Sequence, residues 1–198
     1  MEKLIKLADF DHTEKISLKE ALSVRRSVRE YHNKQINFLE LSKILWSAQG
    51  ITSSDGYRTS PSAGAIYPLE VYVVVGNVDG LDSGVYKYKA FENGIIKIAD
   101  GDKRDDLMNA CLEQEWLKYT SAIFVISGVY DRTYRKYGDR ATRYIYIEVG
   151  HVGQNILLET ISLNLKSGVV GAFYEDELKK LLKMPEEEEP LYVLAVGK

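Results

Sequence analysis

Apolar residues along the chain follow two spacings, one typical of helices and one typical of buried strands. Continuous apolar runs predict strands at 71–75, 122–129 and 191–196, and a short strand or turn at 169–173. An Asn93-Gly94 turn separates the alternating stretches 85–88 and 95–98, which predicts a β-hairpin. The strand pattern therefore predicts a sheet in which at least one pair of neighbours is antiparallel.

Helical spacing accounts for most of the remaining chain. Capping-box spacing predicts helix starts at Ser17 and Asn37, and Gly50 ends the second of these helices. Further helices are predicted at 102–118, 132–137, 141–165 and 175–182. The helix at 141–165 is the longest, and its apolar residues cover most of its surface, so we expect it at the centre of the fold or in a subunit interface.

The order of these elements predicts the fold class. Helices and strands alternate irregularly around one hairpin, which favours an α+β fold with a mixed sheet over a doubly wound parallel sheet. Residues 1–198 are expected to form one domain, with 1–16 as an irregular N-terminal arm and Glu186–Glu189 as a solvated acidic loop. No Gly-x-Gly-x-x-Gly follows a strand and no P-loop is present.

Composition narrows the class of protein. At 198 residues with a net charge of -3, the chain has no general attraction to nucleic acid or anionic lipid. Its single cysteine, Cys111, excludes an intramolecular disulfide and suits a reducing cytoplasm. The mixed charges of residues 1–6 do not fit a signal peptide, and the polar residues within 144–165 argue against a membrane span. His151 has only the amides of Gln154 and Asn155 nearby, which favours interface hydrogen bonds over a metal site.

Two segments about thirty residues apart contain the candidate chemistry. Arg25-Arg26-Ser27-Val28-Arg29 places three guanidinium groups and a hydroxyl in five residues. If the segment is extended, Arg25, Ser27 and Arg29 share a face and could grip phosphate oxygens. A solvated basic turn is the alternative on composition alone.

The second segment is rich in small residues. Pro61-Ser62-Ala63-Gly64 and the following residues to Pro68 leave the backbone unshielded, so that N–H groups can reach a ligand closely. An ordinary structural loop is the alternative. Guanidinium groups together with bare backbone suit a phosphorylated cofactor.

Separated motifs in a fixed order resemble the nitroreductase superfamily of FMN enzymes. They are Arg-Arg-Ser-Val-Arg-x-Tyr at 25–31, Ser-Pro-Ser-Ala-Gly-Ala-Ile-Tyr-Pro-Leu-Glu at 60–70, Gly-His-Val-Gly-Gln-Asn at 150–155, Val-Gly-Ala-Phe-Tyr-Glu-Asp-Glu-Leu at 170–178 and Leu-Tyr-Val-Leu-Ala-Val-Gly at 191–197. The resemblance covers residues 17–198 and is closest to the branch that includes azoline dehydrogenases, which oxidise thiazoline and oxazoline rings in peptides.

The resemblance implies a homodimer with two FMN molecules at its interface. Arg25, Arg26 and Ser27 would hold the FMN phosphate and ribityl chain, and Arg29 would lie near the ribityl and pyrimidine end. The helix starting at Ala141 would form much of the interface. Further implied cofactor residues are Pro61, Ser62, Ala63 and Gly64 from the second subunit, Val170, Gly171 and Ala172 along the isoalloxazine edge, and Lys198 near the phosphate.

Two departures from the family pattern concern this site. The chain stops at Lys198, so only that residue could supply the cation that many relatives place after the last strand. An acidic residue common before the glycine of the flavin-edge motif is Val170 here, which leaves a backbone contact to flavin N5 as the implied interaction.

The dehydrogenase branch has a Lys-Tyr pair before a glycine, implicated in substrate deprotonation, and Lys136 and Tyr137 match it. Arg132, Lys136, Arg140 and Arg143 are expected on one helical face, so a surface basic helix is the alternative.

The implied activity is two-electron transfer through flavin N5. It runs either as NAD(P)H-dependent reduction of a quinone or nitro-type acceptor, or as dehydrogenation of a small or peptide substrate. Two alternatives remain at this point. One is a non-catalytic flavin-binding subunit of a peptide-modifying complex, and the other is a domain without any cofactor.

Overall fold

A seven-stranded antiparallel sheet forms the centre of the structure, a computed structural model that describes residues 3–11, 13 and 16–198. The strands are β1 (Leu4–Lys6), β2 (Ile36–Asn37), β3 (Leu69–Val75), β4 (Val78–Asp79), β5 (Gly84–Lys89), β6 (Gly94–Asp100), β7 (Ala122–Val129), β8 (Lys166–Val170) and β9 (Glu188–Gly197). Their order in the large sheet is β1-β6-β5-β3-β7-β9-β8, and β2 and β4 pair separately in parallel.

Six α-helices cover the two faces of this sheet in the described part of the chain. They are α1 (Leu18–Val24), α2 (Phe38–Gln49), α3 (Arg104–Ala110), α4 (Tyr130–Tyr137), α5 (Ala141–Ser162) and α6 (Glu175–Leu181). None of the described helices combines the length and hydropathy needed to cross a bilayer. With its antiparallel sheet and packed helices, the chain has an α+β fold.

Each central strand contributes to two hydrophobic cores because successive side chains point to opposite faces of the sheet. In β3, Val71 and Val73 face the core that contains α2 and α5, whereas Tyr72 and Val74 face the core that contains α3 and α6. This two-sided burial explains why β3 and β7 are continuous apolar runs in the sequence.

Several elements predicted from local sequence signals are confirmed. Ser17 and Asn37 cap α1 and α2, and each side chain accepts a hydrogen bond from the backbone N–H three residues on. The predicted strand at 122–129 and the hairpin around Asn93-Gly94 are also confirmed. These features depend on neighbours in the sequence, which is why a single sequence reveals them.

The prediction of an irregular arm at 1–16 is wrong for residues 4–6, because these residues form β1 and pair with β6. Positions 1, 2, 12, 14 and 15 of the arm lie outside the described residues.

The prediction of one continuous helix at 102–118 is also wrong. The segment is divided into α3 and a 3₁₀ turn at Glu115–Tyr119, because Leu112 and Glu113 have positive φ values of 56° and 58°. Leu112 is therefore exposed, although its apolar side chain would suit the buried face of a continuous helix.

The acidic run at 186–189 is not a solvated loop throughout. Glu188 begins β9, is buried, and accepts hydrogen bonds from Tyr72 Oη at 2.8 Å and Ser127 Oγ at 3.1 Å. It also pairs with Lys87. A buried carboxylate persists when hydrogen bonds and an opposite charge compensate for its lost hydration.

Candidate active site

The Arg25–Arg29 segment lies along β8. It leaves α1 at Arg25, and the Val28 N–H donates to the Ser167 carbonyl at 2.8 Å while Ser27 pairs with Ser167. A side chain on Gly168 would collide with the Val28 carbonyl. Gly168 therefore allows the segment to approach the sheet at main-chain distance.

The guanidinium groups of this segment have no carboxylate partner among the described residues. Arg25 is half-buried, whereas Arg26 and Arg29 are exposed. Arg26 Nη1 donates only to the carbonyls of Ser23 and Arg25, and Arg29 lies 5.9 Å from the centre of the Trp116 ring. The positive charge of the segment is thus available to an anion.

The end of β8 leaves backbone open to a ligand. Val170 is buried, but Gly171 and Ala172 are exposed, and no atom lies within 4 Å of where a Gly171 side chain would begin. Lys198 is held nearer to α2, with its Nζ 4.0 Å from Glu40 Oε2. The structure thus places Arg25–Arg29 along the strand that leads to 170–172, while the Lys198 ammonium points to α2.

The Pro61–Gly64 loop is anchored from α5. Asn155 Nδ2 donates to the Thr59 carbonyl at 3.3 Å and to Ser60 Oγ at 3.1 Å, and it also reaches the Ser47 carbonyl at 3.1 Å. Ser60 Oγ in turn donates to the Ala48 carbonyl. The Asn155 amide, predicted for an interface, is therefore used inside the chain to join α2, α5 and the start of the loop.

Glu148 anchors the middle of the same loop. Its Oε1 accepts from the Ala63 N–H at 2.8 Å, and its side chain is buried. Burial raises the pKa of Glu148, while the Ala63 N–H, Ser62 and His151 oppose that shift. Glu148 is not among the site residues predicted from the sequence, although its carboxylate lies at an otherwise apolar position of the predicted helix.

Lys136 and Tyr137 meet the loop at Gly64. A β-carbon on Gly64 would lie 2.5 Å from Lys136 Nζ and 2.6 Å from Tyr137 Oη, so both polar ends touch this residue. Gly64 has a φ of 62°, and Ala65 also has a positive φ of 54°. The two candidate catalytic side chains and the small-residue loop are therefore one cluster within a single chain.

The prediction that Arg132, Lys136, Arg140 and Arg143 share one helical face is wrong. Gly138, with a φ of 53°, ends α4, and a 3₁₀ turn at Gly138–Arg140 separates it from α5. Arg132 is moreover paired with Glu70 at 2.7 Å and donates to the Tyr67 carbonyl at 3.3 Å. Its charge is neutralised within the chain, so the four cations do not form one continuous surface.

The site thus consists of two groups within the chain, a cationic segment on β8 and a loop cluster on α4 and α5. No hydrogen bond or ion pair connects the Arg25–Arg29 segment with Pro61–Gly64 across residues 16–198. The first group can neutralise an anion, and the second offers backbone amides beside an ammonium and a phenol. In the same part of the chain, no three His, Cys, Asp or Glu side chains are grouped as metal ligands.

Comparison with known proteins identifies close relatives. The chain is 44% identical over 185 residues to a candidate nitroreductase of Methanocaldococcus jannaschii, covering 93% of this chain and 92% of the relative. A crystal structure of a candidate nitroreductase from Anabaena variabilis matches the whole chain with a TM-score of 0.87 and 28% identity. The chain spans 42% of the length of that protein.

Two more distant structures share the fold. A chain of the E. coli microcin synthetase complex McbBCD with truncated pro-MccB17 bound matches 96% of this chain and is itself 75% covered, with a TM-score of 0.76 and 21% identity. The NADPH:FMN oxidoreductase from Vibrio harveyi complexed with NAD+ matches 91% and is 67% covered, with a TM-score of 0.66 and 16% identity. The family model described as "Nitroreductase family" matches residues 22–198. The chain therefore belongs to the nitroreductase family.

Proposed function

We propose that this protein is an FMN-dependent oxidoreductase that works as a homodimer in the cytoplasm. The observation that carries the proposal is the Arg25–Arg29 segment, whose three guanidinium groups lack carboxylate partners in the described structure. Cations that lack a carboxylate partner fit a phosphate, which binds guanidinium forks through two oxygens at once.

The residues present fit FMN at both of its ends. Arg25, Arg26 and Ser27 would hold the phosphate and ribityl chain, with Arg29 near the pyrimidine end. The open space beside Gly171 would admit the flavin edge to the backbone between Val170 and Ala172. Lys198 contributes to the phosphate site only if its ammonium leaves Glu40, because its Nζ now lies 4.0 Å from that carboxylate.

Pro61, Ser62, Ala63 and Gly64 would approach the flavin from the second subunit. The exposed side of α5 supports this arrangement, since Tyr146 and Ile147 are 57% and 50% exposed in the single chain. α1 adds exposed Leu18 and Leu22. Apolar side chains left uncovered on two helices are typical of a surface that another chain covers.

When bound, FMN would supply the two-electron redox chemistry, and the protein would supply position and charge. Arg29 would favour a negatively charged reduced cofactor electrostatically. Lys136 and Tyr137 are the candidates for moving a substrate proton, because their Nζ and Oη meet at Gly64. NAD(P)H would be the donor in the reductase direction, with a quinone or nitro-type acceptor. A small or peptide substrate would be oxidised in the dehydrogenase direction.

A non-catalytic flavin-binding subunit of a peptide-modifying complex is the second candidate. The McbBCD structure favours it, since a chain of that complex shares this fold. A continuous basic face from Arg132 to Arg143 would suit an acidic partner or leader peptide of such a complex, but the turn at Gly138–Arg140 and the Arg132–Glu70 pair interrupt it.

Anaerobic addition of NAD(P)H to the purified yellow protein separates these candidates. Bleaching of the flavin band supports the reductase direction. Oxidation of a peptide azoline that is lost in both Lys136→Ala and Tyr137→Ala supports the dehydrogenase. Unchanged activity in both variants would exclude the proton-transfer role, and flavin that neither NADH, NADPH nor an azoline peptide reduces would support the non-catalytic subunit.

A further inference from the structure

A cavity lies beside the loop cluster. It has a volume of about 470 Å³ and opens between the loop before β3, the end of β5 and the start of α4. Its main lining side chains are Arg58, Tyr67, Glu70, Tyr88, Phe91 and Arg132. We call it the Arg58 pocket.

Arg58 lines the pocket and has no ion-pair partner among the described residues. Its guanidinium lies 4.5 Å from the centre of the Tyr67 ring and 5.6 Å from that of Phe91, and Nη1 donates to Gln49 Oε1 at 2.8 Å. No carboxylate of the described residues forms an ion pair with it, and its buried Nε lacks an acceptor. The buried hydroxyl of Tyr88 also has no hydrogen-bond partner in the part of the chain that the structure describes.

Burial without a counter-charge is unfavourable for a guanidinium, and the pKa of Arg58 is lowered mainly for this reason. Partial compensation comes from Glu70. Two aromatic rings hold the guanidinium in place, so it is pre-organised for an anion.

The other charges of the pocket leave an excess of one positive charge. Glu70 is already engaged by Arg132 at 2.7 Å and by Lys87 at 3.6 Å. Lys89 and Glu92 also line the pocket and carry opposite charges. The acidic side chain closest to Arg58 is thus neutralised by other cations, and an entering anion would meet net positive charge.

The pocket adjoins the loop cluster, because Tyr67 of the same loop and Arg132 of α4 line it. Arg132 and Lys136 are one turn apart on α4, so they lie on the same side of the helix. Arg132 donates to the Tyr67 carbonyl, and Lys136 touches Gly64 in the same loop. A molecule bound at Arg58 would therefore contact the loop and the helix that also hold the candidate catalytic pair.

We propose that the Arg58 pocket binds a carboxylate carried on a flat apolar body, and that it selects substrates of this class. The charge of Arg58 would recognise the carboxylate, and the rings of Tyr67 and Phe91 would contact the apolar part. Its role in substrate selection rests on the proposed oxidoreductase function, but binding itself does not.

The test titrates the full-length protein with benzoate and with benzamide, its neutral counterpart of nearly the same shape, by ligand-observed NMR. We expect benzoate to bind about tenfold more tightly, because a charge-assisted hydrogen bond is worth roughly that factor. Equal binding of the two probes to the wild-type protein would overturn the proposal, and this comparison needs no variant.

Arg58→Gln should remove the preference, while Lys19→Gln, a loss of one charge on α1, should keep it. An Arg58→Gln variant that unfolds at the same temperature as the wild-type protein and still binds benzoate more tightly than benzamide would also overturn the proposal. The same probes with a nitro group, 4-nitrobenzoate and 4-nitrobenzamide, test selection. The wild-type KM should be about tenfold lower for the carboxylate, and Arg58→Gln should raise only that KM, with kcat unchanged.

FMN content is measured on the same samples. A protein without FMN that still discriminates benzoate would contradict the proposed function and support the pocket. A protein that contains FMN but binds benzoate and benzamide equally would support the proposed function and contradict the pocket.

Discussion

One main-chain hydrogen bond, from the Val28 N–H to Ser167, and one bridge at Ser27 connect the Arg25–Arg29 segment to the sheet. The Pro61–Gly64 loop is instead fixed by side chains of α5, the half-buried Asn155 before the loop and the buried Glu148 at its centre. The cationic segment thus offers charge that is not used inside the chain, whereas the loop offers backbone whose position depends on internal polar contacts. Substitutions in the two regions should therefore have different consequences, the first on anion binding and the second on stability.

The largest effect on stability should follow loss of the Asn155 amide. Asn155→Ala leaves the carbonyls of Ser47 and Thr59 without this donor, and we expect the free energy of unfolding to fall by about 2 kcal/mol. Urea unfolding measures it, with Thr142→Ala on the exposed side of α5 as a control that should change little. Equal stability of the two variants would show that α5 does not anchor the loop.

The largest effect on binding should come from the cationic segment. Arg25→Gln should weaken FMN binding about tenfold through loss of one charge-assisted contact, and high salt should weaken the wild-type protein more than the variant. Fluorescence titration of the apoprotein with FMN measures both. Lys19→Gln removes a charge from α1 and should leave the affinity unchanged, so equal losses in the two variants would indicate a general charge effect.

Gly64 can be compared with a glycine of similar conformation and open surroundings. Gly64→Ala and Gly80→Ala both place alanine at positive φ, 62° and 78°, which costs about 1 kcal/mol each. Only at Gly64 does the new methyl group meet Lys136 and Tyr137, so we expect up to about 1 kcal/mol of further destabilisation. Thermal unfolding of both variants measures the difference. Equal destabilisation of the two variants would show that Lys136 and Tyr137 do not contact the loop at Gly64.

The smallest effect is a dependence on pH. Because burial raises the pKa of Glu148, its protonated form contributes stability that is present below the unfolded pKa of about 4.3 and lost as the pH rises through the folded pKa. Glu148→Gln still offers an oxygen to the Ala63 N–H but does not titrate. Relative to this variant, the wild-type protein should lose stability as the pH rises above about 4.3. Parallel pH profiles would mean that the folded protein does not perturb this carboxyl.

Local sequence signals predicted the elements but not their long-range partners. The N-caps Ser17 and Asn37 and the Asn93-Gly94 turn act over a few residues, so one sequence is enough to recognise them. Glu188 belongs to an acidic run that looks solvated. Its burial depends on Tyr72 and Lys87, more than one hundred residues away, and no local pattern contains that information.

The candidate site shows the same division. The Arg25–Arg29 cluster and the small-residue loop were visible in the sequence as composition. Glu148 and the stacked guanidinium of Arg58 were not, because their roles depend on which distant groups surround them. The position of Lys136 and Tyr137 against Gly64 is likewise a tertiary fact.

Native mass spectrometry of the purified protein, supported by its visible absorption spectrum, tests the central claim most directly. We predict a dimer that carries two FMN molecules, and an Arg25→Gln dimer that loses them at lower collision energy. A monomer without flavin that takes up no added FMN would contradict the account.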